Sequence, residues 1–270
     1  AGTSTACGGT APAGRPVSWQ NYLALFNIPT FPGRVQFSYY PGDPDTWDLA
    51  GQIKSLDVTG TVTSLKVFNN LIIFTQTKAY QQFGDPDQTG MVVTLSDSIG
   101  CFKHESVQDC GGILTWLSAA GVHSWVGSGQ FPTELISTPK AENASRIDDD
   151  IRKFAWDLPE FICSAYSPID QAYFLGIRLR TIAGGSTTNR VYKYDFTNGQ
   201  WFPWSADAIC METAILPFPV TGNLQPLVLM GSSNGTIRYW GFNDFIDKEI
   251  TAALNETYTF TARSGDWDMG

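Results

Sequence analysis

Charge is what this 270-residue sequence has least of, with 16% Asp, Glu, Lys and Arg against roughly 25% in soluble domains. Histidine occurs only twice, as His104 and His123. Any Ser-His-Asp arrangement must therefore use one of those two positions. No apolar run approaches the roughly 18 to 20 residues of a membrane-spanning helix. Helical periodicity is sparse, which excludes a coiled coil. There is no basic stripe: the net charge is −9 and the pI near 4.6, so a generic nucleic-acid grip is excluded. Five cysteines at scattered spacing make a poor disulfide framework and read as reduced, mostly buried thiols.

What is present is apolar and turn-rich. Aromatics reach 13% and hydrophobic residues 43%, enough apolar surface to offset the ordering entropy that keeps polar chains disordered. The 26 glycines and 15 prolines punctuate short apolar runs. Residues 1–15 are small and read as a flexible arm, leaving 16–270 as one β domain. Residues 21–26 and 34–39 are strand-like. Four hairpins follow: 63–75 around Asn69-Asn70, 113–126 around Ala119-Ala120-Gly121, 190–202 around Asn198-Gly199, and 227–240 around Asn234-Gly235. Residues 80–83 extend the first of these. One helix is expected over 145–158, acidic at its start and stopped by Pro159, with a weaker one over 246–254.

The chain is therefore all-β, and its turns repeat. Gly42-Asp43-Pro44-Asp45 returns as Gly84-Asp85-Pro86-Asp87, an offset of about one four-stranded propeller blade, and Gly265-Asp266-Trp267-Asp268 is a looser echo. A β-propeller of about five or six blades is the expected fold, with a β-sandwich as the alternative. Trp47, Trp125, Trp201, Trp240 and Trp267 are placed to wedge between blades.

Chemistry is thin. His123 lies within an alternating strand and reads as a core histidine. Cys101, His104 and Cys110 fall within ten positions but lack the paired spacing and fourth ligand of a zinc site. Asp43, Asp45, Asp48, Asp85 and Asp87 could offer oxygens to calcium, yet no downstream bidentate Glu completes a loop, and local turn hydrogen bonds explain them. Gly184-Gly185-Ser186 lacks the Lys of a phosphate loop. Ser233-Asn234-Gly235-Thr236-Ile237 only partly matches a sialidase box. Three glycosylation sequons begin at Asn143, Asn234 and Asn255, without other signs of a secreted context. No catalytic, cofactor-binding or metal-binding residue is assigned, and the chain is not expected to be an enzyme.

The order of motifs is more specific than any one of them. Arg34-Val35-Gln36-Phe37-Ser38 then Gly42-Asp43-Pro44-Asp45-Thr46-Trp47, followed by Leu71–Thr75 with Lys78-Ala79-Tyr80, resembles the opening of bacteriophage tail-tube propeller proteins. Gly100-Cys101, Ser106-Val107, Gly112–Ser118 and Gly121-Val122-His123, then Val191–Asp195 with Gly199-Gln200-Trp201, are similar to the segments that follow. The resemblance covers about residues 16–204. It implies a structural virion protein of short-tailed phages: a tail nozzle or hub subunit, assembled in the host cytoplasm. Copies would form a ring, usually of six, contacting adaptor, portal and other tail proteins, with no membrane anchor. Genomic DNA would pass through the ring without tight binding. The chain looks shorter than such proteins and is expected to be a segment of one. The acidic stretches 42–48, 84–90 and 148–150 are expected to face the channel. The alternative is a propeller that binds or cleaves host-surface glycans, with Trp201, Trp204 and Trp240 stacking on sugars.

Overall fold

The computed structural model describes residues 14–43, 46–47, 52–86, 90–138, 146–180, 187–204, 206, 208–217, 224–233, 235–240 and 248–249. These form five four-stranded antiparallel sheets, each a meander whose strands lie side by side in chain order. The first holds β1 (Arg15–Trp19), β2 (Tyr22–Phe26), β3 (Arg34–Phe37) and β4 (Ser55–Asp57). The second holds β5 (Val62–Phe68), β6 (Asn70–Thr75), β7 (Ala79–Phe83) and β8 (Met91–Ser96). The third holds β9 (Gln108–Asp109), β10 (Leu114–Ser118), β11 (Gly121–Trp125) and β12 (Glu134–Leu135). The fourth holds β13 (Cys163–Ser167), β14 (Ala172–Arg180), β15 (Thr187–Asp195) and β16 (Gln200–Trp204). The fifth holds β17 (Cys210–Pro217), β18 (Leu224–Gly231), β19 (Ile237–Trp240) and β20 (Lys248–Glu249). Among the described residues there are five serial four-stranded sheets rather than the two of a sandwich. β1 starts inside the segment expected to be a flexible arm.

The sheets stack because the strands within them are apolar on both sides. In β6, Leu71 and Ile73 pack with Ala24, Phe26 and Val35 of the first sheet, while Ile72 and Phe74 pack with Leu114 and Trp116 of the third. In β14, Tyr173, Leu175 and Ile177 meet the third sheet through Leu117 and Val122, and Ala172 and Phe174 meet the fifth through Val228 and Met230. Side chains alternate across a strand, so a strand buried on both faces reads as a continuous apolar run. That is why Leu-Ile-Ile-Phe and Tyr-Phe-Leu-Gly-Ile carry no polar alternation. Each of the four hydrophobic clusters joins two sheets adjacent in sequence. First strands also meet: β1 touches β5, and β13 touches both β9 and β17.

The repeated turn occupies equivalent places. Gly42 and Gly84 both follow the third strand of their sheet and both adopt a left-handed backbone, at φ 75° and 74°. Only glycine enters that region without a Cβ penalty. Pro44, Asp45, Asp48, Asp87 and the echo at 265–268 lie outside the described residues.

Two turns differ from expectation. The 63–75 hairpin pivots on Asn69 alone (φ 59°), and Asn70 already pairs with Phe68. At 195–200 only Gly199 is left-handed, because Asp195 organises the loop instead. Its carboxylate accepts from the Thr197 amide at 2.8 Å, the Asn198 amide at 3.3 Å and the Asn198 side chain at 2.8 Å.

The helix expected over 145–158 is a single turn, α1 (Asp148–Ile151). The backbone beyond it is claimed by the end of β14: Ala155 N donates to Arg178 O at 2.9 Å, and Arg180 N to Lys153 O at 2.7 Å. Pro159 opens a short 3-10 turn (Pro159–Phe161) rather than ending a helix. No helix is described over 246–254, where Lys248–Glu249 form β20 and the rest lies outside the described residues.

Candidate functional site

Segments that enter and leave the strands converge on one cavity of about 420 Å³. Arg15 opens β1, Phe26 and Asn27 end β2, and Thr61–Thr63 lead into β5. Gln76, Phe102–His104, Trp156, Asp157 and Pro159 complete the lining from the segments that follow β6, β8 and α1. Arg15 forms an ion pair with Glu105, and Lys103 Nζ lies 3.7 Å from the same carboxylate. Burial alone would raise the Glu105 carboxyl, but the Arg15 hydrogen bond and the neighbouring cations outweigh it and hold it below its ordinary value. The apolar part is aromatic: Phe102 meets Trp156 edge-on at 4.7 Å, and Phe26 lies 5.1 Å from the His104 ring.

His104 is held neutral there. Its Nδ1 lies 2.9 Å from Ser64 Oγ, and its pKa is lowered to about 4, chiefly by burial. A Ser–His contact of this length fits a nucleophile dyad in distance. Ser64, however, is fully buried in β5, so its hydroxyl cannot meet a substrate. His123 pairs likewise with Ser118, Nε2 to Oγ at 2.9 Å, and stacks on Trp116 at 5.6 Å. Burial lowers it to about 4 as well, which makes it the core histidine expected.

Cys101, His104 and Cys110 do not converge on a metal. The Cys101 thiol donates to Lys103 O at 3.2 Å, and burial pushes both Cys101 and Cys110 up to about 12. Among the described residues no group of three or more His, Cys, Asp or Glu could hold a metal. Cys101, Cys110 and Cys163 are buried free thiols, whereas Cys210 is exposed.

Asp43 accepts from Thr46 Oγ1 at 2.8 Å, the turn role expected of it, and Asp85 accepts from Tyr22 OH at 3.3 Å. Asp150 anchors the loop after β12: it accepts from Tyr192 OH at 2.8 Å and pairs with Lys153 and Arg190.

Of the five tryptophans expected to wedge between sheets, Trp125, Trp201 and Trp240 do so. Trp125 lies 5.9 Å from Phe68 of the second sheet, and Trp240 5.2 Å from Phe174 of the fourth. Trp201 is buried, and its Nε1 donates to Ile136 O at 2.8 Å, across to the third sheet. It is out of reach of a sugar. Trp204 and Trp240 are half-buried and meet edge-on at 4.7 Å. Trp47 is buried, and Trp267 lies outside the described residues, as do Gly184-Gly185-Ser186 and the three sequon asparagines.

No family model matches the chain, and no curated protein matches it in sequence. Among solved structures it is similar to the Dos1 propeller, at a TM-score of 0.40 and 12% identity over 85% of this chain and 68% of that one. A likeness that loose leaves the sheets themselves to carry the fold.

Sequence reasoning did not gather Arg15, Lys103, His104 and Trp156 into one cavity. No local spacing signals it, because these residues come from strand ends up to 141 positions apart.

Proposed function

We propose that the chain is a β-propeller module serving as a structural, ring-forming subunit of a short-tailed phage tail nozzle. The observation that supports it best is the series of five meanders, each packed on the next, with first strands in contact between the first and second, third and fourth, and fourth and fifth sheets. Radial repetition of that kind places the first strands around an axis. The order of sequence motifs adds the phage tail context. In this reading neighbouring copies form a ring of six beneath the adaptor, and DNA passes without being held.

The acidic stretches 42–48 and 84–90 follow the third strands of the first two sheets and lie in part outside the described residues.

Native mass measurement with negative-stain imaging tests the proposal. A six-fold ring that fails to retain duplex DNA at physiological salt is the expected result. A chain that stays monomeric and binds glycans saturably would replace it with the glycan reading.

A further inference from the structure

The outer edges of the five sheets are not alike. Four are blunted in the ways that keep sheets from pairing with strangers: short length, charge or proline. β4 is three residues ending in Asp57, β12 is two residues with Glu134, and β20 is Lys248-Glu249. β16 carries Pro203. β8 has none of these devices. It runs Met-Val-Val-Thr-Leu-Ser for six residues, without charge or proline, and among the described residues its one strand partner is β7.

Its side chains compound the exposure. Met91 is 59% exposed and Val93 37%, and Phe83, opposite Met91 in the register, is 37%. Met91 and Val93 point to one face because they are two apart. A register shift between Ala79 and Tyr80, opposite Leu95, bends the strand near its end. The straight, open edge is therefore Met91–Thr94.

We infer that this edge pairs with the β8 edge of a second copy of the chain, antiparallel about a two-fold axis at Val92. Two arguments select a second copy. First, a chain of net charge −9 repels its own copies least where no carboxylates are brought face to face, and this edge is uncharged. Second, the register is self-complementary. A two-fold perpendicular to the sheet keeps each face on its own side, so Val92 meets its equivalent and Met91 of each copy meets Val93 of the other. The exposed apolar pair on one copy is then covered by the same pair on its mate. Main-chain hydrogen bonds along the edge supply the affinity, as in other strand additions. This contact is two-fold, whereas neighbours around a ring meet head to tail, so the inference stands apart from the nozzle reading.

Sedimentation of the whole chain up to about 100 μM reads the pairing. The unaltered chain should dimerise. The double substitution Met91→Lys and Val93→Lys sets like charges opposite one another and should weaken dimerisation about tenfold or more while leaving the circular dichroism unchanged. A cross-link reads the register independently. With Cys7 and Cys210 replaced by serine, Val92→Cys should form a disulfide between copies under a copper–phenanthroline oxidant, because facing strand residues lie about 4.5–5.5 Å apart. Val67→Cys, exposed on β5, should not. A monomer at the highest concentration, a dimer indifferent to the lysines, or a dimer without the Val92→Cys cross-link overturns the inference. The last result would mean that the copies meet through another surface. A ring that survives the lysine pair separates this contact from ring formation, and pairing without any ring removes the nozzle reading alone.

Discussion

Trp201 separates a structural tryptophan from a ligand-facing one. Its ring packs 4.9 Å from Tyr194 and 6.4 Å from Tyr192, and its N–H is spent on the Ile136 carbonyl in the neighbouring sheet. Replacing it with phenylalanine keeps a ring but leaves that buried carbonyl without its donor, at about 1–3 kcal/mol. Truncation to alanine also empties the space between the third and fourth sheets, for about 3–5 kcal/mol. Urea unfolding followed by circular dichroism should show the midpoint falling in the order wild type, Trp201→Phe, Trp201→Ala, with little change in slope. Any sugar binding lost in Trp201→Ala would then report a damaged fold rather than a missing stacking platform. If Trp201→Ala unfolds within about 0.5 kcal/mol of wild type, the wedge assignment is wrong.

Two further outcomes follow from buried groups. His104 and His123 titrate near 4 when folded, below an unfolded value of about 6.5, so the unfolded chain binds more protons between these limits. Stability is therefore full above pH about 6.5 and falls toward pH 4, by up to about 3 kcal/mol per histidine. Denaturation midpoints across that range should flatten in His123→Gln, and a wild-type profile already flat there would contradict the burial. At Gly100, a Cβ would collide with the Thr75 carbonyl oxygen and the Gln76 backbone. Gly100→Ala should cost about 2 kcal/mol or more, and an unshifted melting temperature would show that the two segments can part.

The fold was legible where chemistry is local. Asn and Gly mark turns because they tolerate the left-handed region, and the repeated Gly-Asp-Pro-Asp marked equivalent loops 42 residues apart. What failed was competition that spacing does not encode. Asp148, Asp149 and Asp150 at the start of α1 are a sound helix signal, yet β14 captures the backbone that follows them. Asn198-Gly199 looks like a two-residue turn until the Asp195 side chain organises a four-residue loop. The cavity was illegible for a different reason. Arg15, His104 and Trp156 meet only after three sheet interfaces have formed, and no local window along the chain contains more than one of them.

The sheet-by-sheet order of the clusters also sets a sequence of events during synthesis. Each sheet among the described residues is built from consecutive strands, and each leans on its predecessor. The first two sheets can close over Phe26 and Leu71 once Ser96 has left the ribosome, well before Trp201 is made. Contacts of short range keep loop-closure costs low for an all-β chain. The unblunted β8 edge is then finished early, and it waits beside nascent neighbours on the same message.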